Sequence, residues 1–416
     1  MLVAVIKTIA IFIAVINLVP LLIWLERKGA AYIQDRRGPN RAAIAGIRLG
    51  GIIHSLSDVV KLLTKEDIIP PHVNKPLYIL APMIAMFVAT ITVAVVPFAA
   101  PIVWEGNRIL LQVADLDVGL LYVFAVSSLG IYGVMLAGWA ANNKYSLLGG
   151  LRSSAQMISY EVSMGLAVIG IFLLAGSLKL TDIVYFQGSN PFHWNIFLQP
   201  IGFILFLTAV FAETNRLPFD LPEGESELVA GFHVEYSSMK FALFFMAEYA
   251  HMVVASTIIV TLFFGGWQIP FLPEGVLQEK ASQILSGGWL IGSIVSIFLG
   301  YWLTRWYRKG KYGDLRDYEP LLFGVLAIGV GILLFIAWFI FGQGLELGEL
   351  GRQLTVTGIQ LISFLTKVLF FCFFFIWIRW TLPRLRYDQL MKLGWKIMLP
   401  VALLNVLITG AIALLI

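Results

Sequence analysis

The amino-acid sequence predicts an all-α polytopic membrane protein, and three observations lead there. Mean hydropathy is +0.85, and of 416 residues 59% are hydrophobic and 13% charged, which leaves no stretch polar enough for a separate soluble domain. Apolar runs of about twenty residues recur, each long enough at 1.5 Å per residue to cross a hydrocarbon core of about 30 Å. Lys and Arg collect at the ends of those runs. That pattern reads as membrane orientation, so the net charge of +4 does not point to nucleic acid.

About ten spans are expected, at 2–25, 77–100, 119–141, 157–177, 197–212, 240–264, 288–306, 320–341, 358–380 and 397–416. The first contains Pro20 and ends in Glu26-Arg27-Lys28 without a small-residue cleavage site, so it reads as a retained span. The fifth is short and needs local thinning or protein neighbours. Links after the odd-numbered spans carry most of the cations, among them Arg27, Arg36, Lys144, Arg152, Arg216, Lys311 and Arg384, whereas the opposite links hold Arg108, Lys179, Lys280 and Arg352. The positive-inside rule places the former links in the cytoplasm and both termini outside, as expected for a multi-pass protein of a bacterial inner membrane.

The first internal link contains an amphipathic segment, about 44–65. Leu49, Ile52, Ile53, Leu56, Val59, Val60 and Leu63 recur at helical spacing, with His54, Ser55, Asp58 and Lys61 opposite. Such a helix lies in the membrane interface, until Pro70-Pro71 stops it, and either anchors the chain there or frames a lateral opening.

The chemistry-bearing stretch is Glu213-Thr214-Asn215-Arg216-Leu217-Pro218-Phe219-Asp220-Leu221-Pro222-Glu223-Gly224-Glu225-Ser226-Glu227, running on through Glu235 and Tyr236 to Lys240. Six carboxylates share it with Arg216 and Lys240. A charge in hydrocarbon costs roughly 2.5–3.5 kcal/mol on the most lenient scale, so acids set between two spans need a reason. Glu161, a turn or two inside the fourth expected span, and Glu248 in the sixth reach a depth similar to Glu213, which suggests one hydrated cavity opening to the cytoplasm. Crowded carboxylates compete for protons, and proton movement is the chemistry this suits. The blander reading fixes each acid on a structural partner such as Arg216 or Lys240, but local cations are too few for all of them. Lys367 in the ninth span either snorkels or pairs with an intramembrane acid, and His251 reads as a satisfied hydrogen-bonding group.

Nothing points to a bound cofactor or metal. The single cysteine, Cys372, allows no internal disulfide and no iron–sulfur cluster. The five histidines have no zinc-ligand spacing, and with no sheet expected a nucleotide loop has nowhere to sit. No residue is assigned a catalytic role.

These residues resemble a known family: the H-type membrane subunit, numbered 1 in mitochondria, of proton-pumping NADH:quinone oxidoreductase, respiratory complex I. The matching pieces are Leu25 to Lys28, Arg36-Arg37-Gly38-Pro39-Asn40, Asp58 to Lys61 with Lys65-Glu66, Gly138 to Lys144 with Leu151-Arg152, Ile158-Ser159-Tyr160-Glu161, the stretch from Glu213 to Tyr236, and Pro383 to Asp388. They cover nearly the whole chain except 275–357. The resemblance implies a quinone passage past the first span and the interfacial helix, with Arg27, Arg36, Asp58 and Phe232 at its positions. It implies a charged funnel of Glu161, Glu213, Glu223, Glu225, Glu227, Glu235 and Glu248, with Asp220, Arg216, Tyr160, Lys144 and Arg152 nearby, that passes the effect of quinone reduction to pumping subunits. Implied partners are the peripheral-arm subunits with the quinone site, FMN and iron–sulfur clusters, the small membrane and antiporter-like subunits, quinone as substrate, and lipid.

The sequence departs from the family at several places. His54-Ser55 stands where Gln-Pro is usual, the interval from Arg41 to Asp58 is long, and His233 replaces an Asn. About eighty residues around 277–357 look inserted and add two spans, giving an organisation of 1–274, 275–357 and 358–416. Two other functions compete: the equivalent subunit of a membrane-bound hydrogenase-type complex, and a stand-alone cation/proton antiporter. The antiporter is disfavoured because the acids gather at one side and no broken helices appear in inverted halves.

Overall fold

The computed structural model describes residues 2–104, 106–220, 231–307, 317–342 and 347–415. Helix α1, Leu2–Ile33, runs beyond the expected end at Leu25 because its last turns are packed inside, with Ala30 2% and Ala31 0% exposed. The link that follows is shorter in helix than expected. It makes a bridge between Ile44 and Ile47, a 3-10 turn at Leu49–Gly51, and then α2, Ile53–Thr64. Gly51, at φ +100°, explains why the helix cannot begin earlier: the carbonyl oxygen of Pro39 lies 2.1 Å from where a Cβ would stand. Lys65 is extended at ψ 138°, so the helix stops well before Pro70. Leu56, Val60 and Leu63 on α2 are exposed, an apolar face turned outward from the protein.

Helix α3, Lys75–Ile91, tightens into a 3-10 turn at Thr92–Val95. A small antiparallel hairpin follows, β1 at Ile102–Trp104 and β2 at Asn107–Ile109, where the sequence predicts no sheet. Its strands are three residues long, too short for any hydropathy pattern to reveal. Next come α4 (Gly119–Ala140), α5 (Lys144–Ala175), α6 (Leu180–Gln187), α7 (Asn195–Leu198), α8 (Pro200–Glu213), α9 (Ser238–Phe263) and α10 (Glu274–Glu279). The chain ends with α11 (Ala281–Arg305), α12 (Glu319–Ala337), α13 (Glu349–Thr381), α14 (Tyr387–Lys392) and α15 (Leu399–Leu415). Among the described residues nine helical stretches are long and apolar enough to cross a membrane, and α8 is a shorter apolar helix beside them.

Helix α9 is the axis of the bundle. In its apolar window 67% of residues are buried, and it packs on α1, α3 and α13, while α3, α4, α5 and α8 pack in succession and α15 lies on α5. In contrast, α11 and α12 have 11% of their windows buried and pack mainly on each other. Small residues let those two backbones approach closely: a Cβ on Gly300 would stand 2.6 Å from the Gly324 carbonyl oxygen. Helix α13 begins at Glu349 and so runs across the boundary expected at 357.

Lys367 takes neither of its two expected roles. Its ammonium donates to the carbonyl oxygens of Phe264, Gly266 and Gln268 at 2.9, 3.0 and 2.6 Å and lies 4.5 Å from the Trp194 ring centroid. These carbonyls stand at and just beyond the end of α9, where the helix leaves acceptors without internal donors. Lysine from α13 therefore caps α9, a contact that no local sequence pattern announces.

Candidate functional site

The apolar bundle encloses an ion network drawn from four elements. Arg216, 2% exposed in the turn after α8, donates through Nη1 to Glu26 Oε2 of α1 at 2.9 Å and has its Nε 2.6 Å from Glu248 Oε1 of α9. Arg379 of α13 donates to the other oxygen of Glu26. Tyr249 donates its hydroxyl to Glu26 at 3.0 Å, while the Arg216 guanidinium stacks 4.2 Å from the Tyr249 ring centroid. Burial alone would favour loss of the Arg216 proton, but the carboxylates of Glu248 and Glu26 outweigh it and hold the guanidinium well above its ordinary pKa. Alongside, Arg384 donates to Asp220 at 3.0 Å.

Three acids therefore meet three arginines. The expectation that cations are too few fails for Glu248, which Arg216 holds, and for Asp220, because Arg384 arrives from the far end of the chain, as Arg379 does for Glu26. Glu26, Tyr249, Arg379 and Arg384 are functional candidates that sequence patterns alone do not single out. In sequence Glu26 reads as a flank of the first span, whereas the helix carries on to Ile33 and draws it inside.

Glu161 and Glu213 are arranged differently. Among the described residues neither has a cationic partner. The Ser128 hydroxyl meets Glu161, and the negative charges of Glu161 and Glu213 lie close enough to repel each other. Glu213 lines a cavity between α4, α8 and α9, shared with Thr92, Ser127, Thr214 and His251. Its volume open to water is about 40 Å³, room for a few water molecules by the measure of about 10–15 Å³ each. His251, expected to be satisfied, has no hydrogen-bond partner among the described residues and faces this cavity with Gly130 of α4 beside it. Helix α5 also begins before the fourth expected span. It starts at Lys144, so Glu161 is about 25 Å along the axis from that end.

The remaining expected residues separate into groups. Glu235 accepts from Asn143 at 2.8 Å, and its carbonyl accepts from Tyr78, whose ring stacks on Tyr236 at 4.2 Å. Tyr160 is buried, donates to the Leu390 carbonyl at 2.9 Å and meets the Phe219 ring edge-on at 5.4 Å, which places it in the packing of α5 on α14. Lys144 and Arg152 are exposed on α5. Arg27 pairs with Asp58 at 2.5 Å across α1 and α2, whereas Arg36 donates to Gln34 at 2.7 Å. Phe232, 3% exposed, packs edge-on to Phe244 at 5.3 Å inside the core. Glu223, Glu225 and Glu227 lie outside the described residues.

Apolar helices wrapped around a closed ion network, with Glu213 and His251 on a small, largely apolar cavity beside it, define a polytopic membrane protein organised around buried charge. The chain belongs to the NADH dehydrogenase family, whose pattern it matches over residues 6–410. It is 44% identical to the first H-type subunit of NADH-quinone oxidoreductase from Solibacter usitatus, over 98% of this chain and 96% of that one. It is 42% identical to the protein of the same name from Cytophaga hutchinsonii, over 94% and 91% of the two chains. A third relative, NADH-quinone oxidoreductase subunit 8 of Rhodothermus marinus, is 42% identical over 93% and 90%.

Proposed function

We propose that this chain is a membrane subunit of NADH-quinone oxidoreductase that borders the path of the quinone and couples its reduction to proton translocation. The observation carrying the coupling role is the contrast between two neighbouring sets of acids. Glu26, Glu248 and Asp220 are bound to arginines, while Glu161 and Glu213 have no described cation, Glu161 meeting the Ser128 hydroxyl and Glu213 lining a cavity with His251. A paired set fixes geometry, whereas acids without a cation, one of them beside a cavity with room for water, can take up and release protons. FMN and iron–sulfur clusters belong in this reading to peripheral-arm partners, with the small membrane and antiporter-like subunits as further neighbours. The acidic loop, 213–240, faces the cytoplasm of a bacterial inner membrane. The loop acids Glu223, Glu225 and Glu227 belong in this reading to the same proton-coupling set.

Arg27 and Asp58 support the passage assignment, since they join α1 to the interfacial helix α2 while remaining partly open, at 44% and 33% side-chain exposure. An ion pair so exposed contributes about 0–1 kcal/mol to stability, so its loss should leave the fold intact. Asp58→Ala is expected to raise KM for long-tailed quinones several-fold at unchanged subunit abundance. Identical kinetics with short- and long-tailed quinones would remove the passage assignment.

The solubilised assembly that contains the chain is expected to carry flavin, iron and NADH-oxidising activity. An assembly without flavin or NADH oxidation would favour the hydrogenase-type complex instead.

A further inference from the structure

The link between α1 and α2 is held from the side by the helix pair α11 and α12. Within the link, His54 Nε2 accepts the backbone N–H groups of Arg41 and Ala42 at 2.9 and 3.0 Å, and Arg48 donates through Nη1 to the Asn40 carbonyl at 2.6 Å. Trp24 of α1 donates to the Gly50 carbonyl at 3.2 Å, and Ser55 of α2 donates to the Pro20 carbonyl at 2.9 Å. The link is thus a compact fold laid against α1, with Arg27 and Asp58 directly beside it. Glu319, the first residue of α12, enters from 271 positions away and accepts the backbone N–H of Arg48 at 2.5 Å. That N–H stands at the start of the 3-10 turn Leu49–Gly51, which delivers the chain into α2.

We propose that Glu319 is a positioning residue through which the α11–α12 pair sets the shape of the quinone's lateral entrance. The inference rests on the passage assignment made above. A carboxylate in the first turn of a helix is favoured where it stands, because the helix N-terminus carries partial positive charge. An amide hydrogen bond to a charged acceptor is also among the stronger ones, and a partly buried N–H left without an acceptor is costly. The acceptor on α12 therefore decides whether the turn at 48–51 keeps its form, and that turn aims α2 and its Asp58 at Arg27. The pair itself is free to serve as a buttress, since its own packing is mainly internal and most of its surface faces outward.

The test uses the intact, solubilised complex and two substitutions. Glu319→Ala removes the acceptor, while Glu319→Gln keeps an acceptor oxygen without the charge. Hydrogen exchange in peptides covering 40–52 is expected to speed up in the alanine variant and to return toward the native rate in the glutamine variant. KM for a long-tailed quinone should rise about three- to tenfold in the alanine variant, the size expected for losing one such hydrogen bond, with kcat little changed. Unchanged exchange in the alanine variant would overturn the latch. Faster exchange with native KM for every quinone would overturn its link to the entrance if Asp58→Ala still shifts KM. If Asp58→Ala is silent as well, the passage assignment itself fails.

Discussion

Replacing Arg216 by methionine is expected to remove most of the subunit from the membrane. The substitution strips Glu26 and Glu248 of a shared cation at a site where Arg216 is 2% exposed. Breaking one member out of a buried ion network costs about 3–5 kcal/mol, because the remaining charges stay buried without compensation. A marginally stable protein does not tolerate that loss. Arg216→Lys should recover only part of it, since an ammonium cannot reach two carboxylates from one plane or stack on Tyr249 as a guanidinium does. Subunit abundance in membranes and the melting temperature of the solubilised protein check the prediction. Native values for Arg216→Met would show that the network has no structural weight.

Glu213→Gln combined with Glu161→Gln is expected to do the opposite: normal abundance with failed coupling. Neither acid holds a described cation, so neutralising both should leave the ion network standing. Quinone-linked NADH oxidation and proton pumping should fall about a hundredfold, at the lower end of what a positioned proton-transferring group contributes. Oxidation of NADH by an artificial acceptor, which uses only the peripheral arm, should persist. Full pumping by the double variant would sink the proton-coupling assignment while leaving the family membership untouched.

The contrast between these two sets shows what a single sequence can and cannot disclose. Hydropathy and the positions of Lys and Arg locate the spans to within a few turns, because lipid imposes the same requirement on every segment. Helix α5 begins before the fourth expected span for a physical reason. The first turns of α5 bury Ser146, Ser153, Ser154 and Gln156, and Gln156 donates to the carbonyls of Ala212 and Phe219 at 2.7 and 2.9 Å. Residues satisfied by another helix look like a loop when read alone. The arginine partners of Glu26 and Asp220 stand 353 and 164 positions away, and nothing short of the fold announces such pairs. The interfacial helix is legible in its apolar face, but its start depends on the close approach of Pro39 to Gly51, a contact without a hydropathy signal.

Helices α9 and α13 are riveted together at two levels. On the loop side Arg379 and Glu248 belong to one ion network, and at the far end of α9 the Lys367 ammonium grips three carbonyls. Two rods tied at two heights, about 18 Å apart along α13, resist sliding past each other. Any shape change at the cavity between α4, α8 and α9 would then fall to α4 and α8, since its third wall, α9, is held by α13.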